Sequence, residues 1–83
     1  KRNHEEAEIH ILFAQLKEEA GELFEKKDYK KDAAYSYLRA ALGYALAEDI
    51  ERAESLLSKS DEMFCKARYE SPEFRDKVMR KIR

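Results

Sequence analysis

Apolar residues recur at steps of three and four along most of this chain, and polar breaks divide it into four helical stretches. The first, about 3–26, carries Ile9, Leu12, Phe13, Leu16, Ala20, Leu23 and Phe24 on one face, with Glu and Lys on the other. Asn3 followed by Glu6 is a start signal, because a short side-chain oxygen can accept from unpaired first-turn N–H groups. The break from Glu25 to Tyr29 holds no Gly, and Asp28 is placed to cap the second helix, about 29–47. That helix has two stripes, Ala33, Tyr37, Ala40, Tyr44 and Ala34, Leu38, Leu42, Leu46. Apolar residues on two faces predict a central helix with a neighbour on each side.

The third stretch, about 49–69, brings Ile50, Ala53, Leu56, Leu57, Met63, Phe64 and Ala67 into phase. Asp49 is a suitable cap, and Ala47–Glu48–Asp49 suits a tight turn. Leu42, Leu46, Ile50, Ala53, Leu57 and Phe64 nevertheless keep one phase through that turn. A single helix over 30–69, which would need a partner chain to cover it, is therefore the alternative to the preferred turn. Ser58 and Ser60, beside Asp61, can loosen this stretch. Ser71-Pro72-Glu73 then supplies a cap, a first-turn proline and an acid near the positive helix end, opening a fourth helix over about 72–83. Its stripe of Phe74, Val78 and Ile82 must cover either this core or a following element.

Composition agrees with the periodicity. The 83 residues include two Gly, one Pro, one Val, four Ile and no Thr, while the strongest helix formers dominate. The expectation is an all-α fold, an antiparallel bundle of three to four helices in a single domain spanning 1–83. A core of this size is marginal. The start at Lys1 and the stop at Arg83 inside a helical pattern read as an excerpted or processed chain.

The formal net charge is −1 with 42% charged residues, which favours no partner class. Residues 48–62 hold six acids against two bases, and residues 66–83 hold seven bases against three acids. Two complementary solvated faces explain this most simply; a basic tail for phosphate or acidic partners is the sharper reading. Single Cys65 cannot form an internal disulfide and fits a reducing compartment, so the expected location is cytoplasmic. No signal peptide and no run of membrane-spanning length appears.

Gly21, Phe24, Ala33, Tyr37 and Ala40 stand at the spacing of a tetratricopeptide repeat, and the match covers roughly residues 14 to 47. The chain resembles that family, with right-handed stacking of helical hairpins as the implied architecture. Three positions depart from the family pattern: its first large aromatic falls on Lys17, its Leu on Ala20 and its closing Pro on Ala45. A weaker echo starts at Tyr37, with Ala41, Tyr44, Ala53 and Leu57. The phrase FEKKDYKKDAAYSYLRAA also resembles the hairpins of SNAP-type vesicle-fusion adaptors, and it is similar to the three-helix MIT domain. A free-standing solenoid needs three or more repeats. At most two and a half are present, so the chain reads as a compact bundle or as part of a longer array.

Candidate chemistry is sparse. His4 with Glu8, and Glu6 with His10, lie one helical turn apart, but a tight metal site needs three or four converging ligands, so solvated pairing is preferred. Cys65 as a nucleophile would need a nearby base, and the ordinary reading is a small apolar residue near Phe64. No phosphate loop, hydrolase elbow or calcium loop is present. No cofactor, metal or catalytic residue is expected.

The resemblance implies a groove supplied by the first helix and faced by Gln15, Glu18, Glu22 and Glu25. That surface is acidic and would prefer a basic or amphipathic helix. Tyr35, pointing away from both stripes, is a further candidate anchor. The expected function is therefore a non-enzymatic protein-interaction or scaffold domain that binds a partner helix or peptide. The alternatives are a nucleic-acid-binding accessory domain using Arg68, Arg75, Lys77, Arg80 and Lys81, and a self-associating assembly subunit.

Overall fold

The computed structural model describes residues 2–83, with side chains from Glu5 onward. It contains four helices and, among the described residues, no strand: α1 (Arg2–Lys26), α2 (Lys30–Leu46), α3 (Ile50–Ala67) and α4 (Phe74–Ile82). The expected all-α bundle is the observed one. Residue pairing shows that α1 and α3 each run antiparallel to α2: Glu18 meets Tyr44 and Glu25 meets Tyr37 across α1 and α2, while Arg52 lies over Tyr44, Lys59 over Tyr37 and Ser60 meets Ala34 across α3 and α2. The long-helix alternative over 30–69 is not adopted, because the chain reverses at 47–49.

The three helix ends share one device, spaced twenty residues apart. Asp28, Glu48 and Arg68 all take a left-handed backbone, with φ of 66°, 66° and 55°. After each, an N–H returns to an aromatic residue's carbonyl: Tyr29 to Phe24 at 2.8 Å, Asp49 to Tyr44 at 2.8 Å and Tyr69 to Phe64 at 3.0 Å. The left-handed residues themselves bond to Glu25, Ala45 and Cys65. This double closure satisfies carbonyls that a helix end would otherwise leave open, without the Gly usual at that position.

Asp28 thus closes α1 instead of capping α2. Its side chain pairs with Lys30 at 2.6 Å, and α2 starts from Tyr29 with no side-chain cap. Asp49 does cap α3, accepting from the Arg52 N–H at 3.4 Å. α4 starts two residues after the expected proline. Pro72 and Glu73 form a tight lead-in turn whose carbonyls accept from Arg75 and Asp76. The expected Asn3 cap lies outside the described side chains.

α2 is central, as its two stripes predict. It packs on α1 along one side and on α3 along the other, with α4 closing against α2 and the end of α3. Tyr37, Leu38, Tyr44, Phe64, Val78 and Ser60 are the largest fully enclosed side chains of the core. Ser60 donates to the Ala34 carbonyl at 2.9 Å, so its polar group is satisfied inside the core rather than loosening the helix. Val78 brings α4 into the same core, flanked by half-buried Phe74, Met79 and Ile82. The Arg75 guanidinium meets both oxygens of Asp61 at 2.7 and 2.8 Å, a two-pronged pair tying α4 to α3.

The main departure from the periodicity concerns α1. Most of its stripe of large residues does not face α2, although Phe24 packs partly buried against the core. Ile9, Leu12, Leu16 and Leu23 are 65%, 59%, 58% and 59% exposed, and Phe13 is 41% exposed. The face toward α2 carries mostly small residues, with Ala14 and Gly21 buried and Ala7 half-buried, while Ile11 and Phe24 pack partly buried against the core. A Cβ added at Gly21 would stand 2.6 Å from the Tyr37 ring. One added at Gly43 would stand 2.9 Å from the Ala14 Cβ and 3.0 Å from the His10 carbonyl oxygen. Two glycines, one on each helix, therefore set the close approach of α1 and α2, and no room remains between them for leucines.

Candidate partner-binding surface

Five residues are the sequence's candidates for partner binding, and the fold does not gather them into one surface. Glu18, Glu22 and Glu25 lie along α1 beside α2, with Gln15 exposed one turn earlier. Two of these carboxylates already have partners within the bundle. Tyr44 donates its hydroxyl to Glu18 at 2.9 Å, and Tyr37 donates to Glu25 at 2.6 Å. Burial pushes both phenols above their ordinary pKa, and the bonded carboxylates push further, because a phenolate would sit beside a negative charge.

Among the described residues α1 and α3 do not pack on each other; each lies against α2. A cleft lined by Glu18, Tyr44, Arg52, Ser55, Leu56 and Lys59 runs between them. Its far wall is basic. Arg52 sits over the Tyr44 ring at 5.6 Å, and Lys59 over the Tyr37 ring at 4.9 Å. The expected acidic groove is thus of mixed charge, since α3 places two bases opposite the α1 acids.

Tyr35 is not a free anchor. It is half-buried, with its ring edge-on to Phe64 at 5.1 Å and within 6.3 Å of Tyr69. Arg39 lies over Tyr35, and Lys31 over Tyr69 at 4.3 Å. This aromatic group joins α2, α3 and the residue that ends α3's closing turn. The basic C-terminal residues also divide. Arg75 is engaged by Asp61, Arg68 sits at the left-handed turn, and Lys77, Arg80 and Lys81 are exposed. Cys65 faces solvent rather than the apolar interior. Among the described residues no three His, Cys, Asp or Glu side chains are grouped to hold a metal ion, and the His4 side chain lies outside them. No described helix is long and apolar enough to cross a membrane.

The outward stripe of α1 gathers five of the exposed large apolar residues, with Lys17 over the Phe13 ring at 5.5 Å. Ile9, Leu16 and Leu23 recur every seven residues, so they stack along one line of the helix, with Leu12, Phe13 and Ala20 beside them. The five large residues leave on the order of 500 Å² to water, within the range of the largest apolar patch on a single chain, which is often functional. Exposed Glu5 and Glu8 lie toward one end, and exposed Lys26 and Lys27 lie at the other.

The stripe's residues are visible in the sequence; its direction is not. The signal that orients it is a second seven-residue series, Ala7, Ala14 and Gly21, which places small residues on the opposite face. Compared with known protein families, curated proteins and solved structures, the chain matches none.

Proposed function

We propose that this chain is a non-catalytic interaction module that docks an amphipathic helix on the outward face of α1. The observation that carries the reading is the exposed line Ile9–Leu16–Leu23 on a helix whose other side is already committed to α2. The fold supplies a backing, because close packing at Gly21 and at Gly43 against His10 and Ala14 holds the middle of α1 on α2. The occupant is a helix because the apolar residues follow a helical line, and a helix laid along it matches i, i+3, i+4 and i+7 anchors. A partner running antiparallel to α1 would bring its own acidic first turn to Lys26 and Lys27, and its basic last turn to Glu5 and Glu8.

The opening hairpin is, on this proposal, of the tetratricopeptide kind, supported by the Tyr37 ring lying on Gly21 between buried Ala33 and Ala40. The binding surface is relocated from the mixed-charge cleft to the other side of the same helix.

The test is a fluorescence-anisotropy titration of a labelled synthetic helix with leucines at three- and four-residue steps, acids in its first turn and bases in its last. The protein is kept dilute so that self-association does not compete. Saturable binding is expected to weaken by more than about tenfold in the Leu16→Glu/Leu23→Glu double variant. It should change little in Glu18→Lys/Glu22→Lys. Absence of binding, or equal binding by the leucine double variant, would overturn the reading.

A further inference from the structure

We infer that the helix covering the outward face of α1 is α1 of a second copy, laid antiparallel across a two-fold axis at Leu16. This rests on the docking reading above and names its occupant. The Ile9–Leu16–Leu23 line and the charges at its two ends are symmetric about Leu16, whereas Phe13 falls opposite Glu19. Reversing a copy about that residue sets Ile9 opposite Leu23, Leu16 against its own counterpart, and Leu12 opposite the small Ala20. The same register sets Glu5 opposite Lys27, with Glu8 and Lys26 close by, at both ends of the contact. All four of these charged residues are exposed.

A parallel pair would set Glu5 and Glu8 against their own copies and Lys26 and Lys27 against theirs, a like-charge arrangement at each end. It would also align the two helix dipoles, which the antiparallel pair opposes. An isologous contact of this kind closes on itself and leaves no further copy to add. Counting both protomers, the five large side chains offer on the order of 1,000 Å², the threshold for a specific interface before flanking polar surface is added.

The test is sedimentation equilibrium of the 83-residue chain over a wide concentration range. A monomer–dimer equilibrium is expected, abolished in Leu16→Glu/Leu23→Glu. Glu5→Lys/Glu8→Lys and Lys26→Glu/Lys27→Glu should each weaken the dimer. The fourfold variant combining them should restore it, because every acid–base pair is then reversed but retained. In a parallel dimer neither charge variant would change the like-charge pairing, so unchanged association would contradict the antiparallel arrangement.

Register is read by disulfide cross-linking in a Cys65→Ser background. An Ile9→Cys chain mixed with a Leu23→Cys chain should cross-link, and Ile9→Cys alone should not. Preferential Ile9→Cys self-cross-linking would overturn the proposed register. A chain that stays monomeric up to about 0.5 mM yet binds the synthetic helix would overturn the second copy as occupant and leave the docking face standing. A dimer that survives Leu16→Glu/Leu23→Glu would overturn the inference because it uses another surface.

Discussion

The ring of Tyr37 lies on Gly21 so closely that a Cβ there would be 2.6 Å from Cε1 and 2.7 Å from Cδ1. The ring has no easy retreat, since it is fully buried and its hydroxyl is held by Glu25 at 2.6 Å. Gly21 sits inside α1, where Ala would ordinarily gain up to about 1 kcal/mol of helix propensity. Overpacking a filled core costs roughly 1–3 kcal/mol. Gly21→Ala is therefore expected to lower stability, and Gly43→Ala to lower it more, because Gly43 faces the His10 carbonyl and Ala14 backbone rather than a ring edge. Urea unfolding of the two variants gives the sign and the order.

The phenols make the domain sensitive to alkali. Burial raises the pKa of Tyr37 above the ordinary value of 10.0, with Glu25 adding to the shift, and Tyr44 is raised by burial and Glu18. A group with a raised folded pKa binds its proton more tightly in the folded state. Its contribution is complete below the unfolded pKa and is lost as pH rises through the folded one. Stability should hold up to about pH 10 and then decline. Tyr37→Phe should flatten that decline while costing about 0.5–1.5 kcal/mol at neutral pH for the lost bond to Glu25. Thermal melts from pH 7 to 11 test both effects.

Glu48 occupies a left-handed position, at φ 66°, without the short side chain that makes Asp tolerable there. Glu48→Gly should relieve that backbone and stabilise the domain by about 1 kcal/mol, net of the unfolded chain's greater freedom. Asp28→Gly should gain less, since Asp adopts this conformation more readily and its pairing with Lys30 is lost. Comparing the midpoints of chemical unfolding for the two variants checks the order.

Helix positions were legible in the sequence because the 3.6-residue period survives whatever a helix packs against. The central place of α2 was legible too, since Ala33, Tyr37, Ala40 and Tyr44 oppose Ala34 and Leu38 on one helix. The direction of α1 was not. Periodicity marks a face as apolar without saying whether a neighbour of this bundle covers it; Ile9, Leu12, Phe13, Leu16 and Leu23 lie on the face that no described helix covers, while Ile11 and Phe24 pack against the core. The role of Asp28 is ambiguous in the sequence because it can either cap a following helix or end the preceding one in left-handed geometry. The phenol–carboxylate pairs were hidden as well, because Glu18 and Glu25 read as surface charge until Tyr44 and Tyr37 are brought beside them.

The measurement closest to the central claim is the stability of Leu16→Ser/Leu23→Ser at concentrations low enough that no assembly contributes. If these leucines face outward, unfolding of the dilute double variant stays within about 0.5 kcal/mol of the parent, as for surface substitutions. If they belonged to the core, each truncation would cost roughly 2–5 kcal/mol, and the double variant would be largely unfolded. An unchanged dilute stability supports the outward docking face, and a collapse of that size contradicts it.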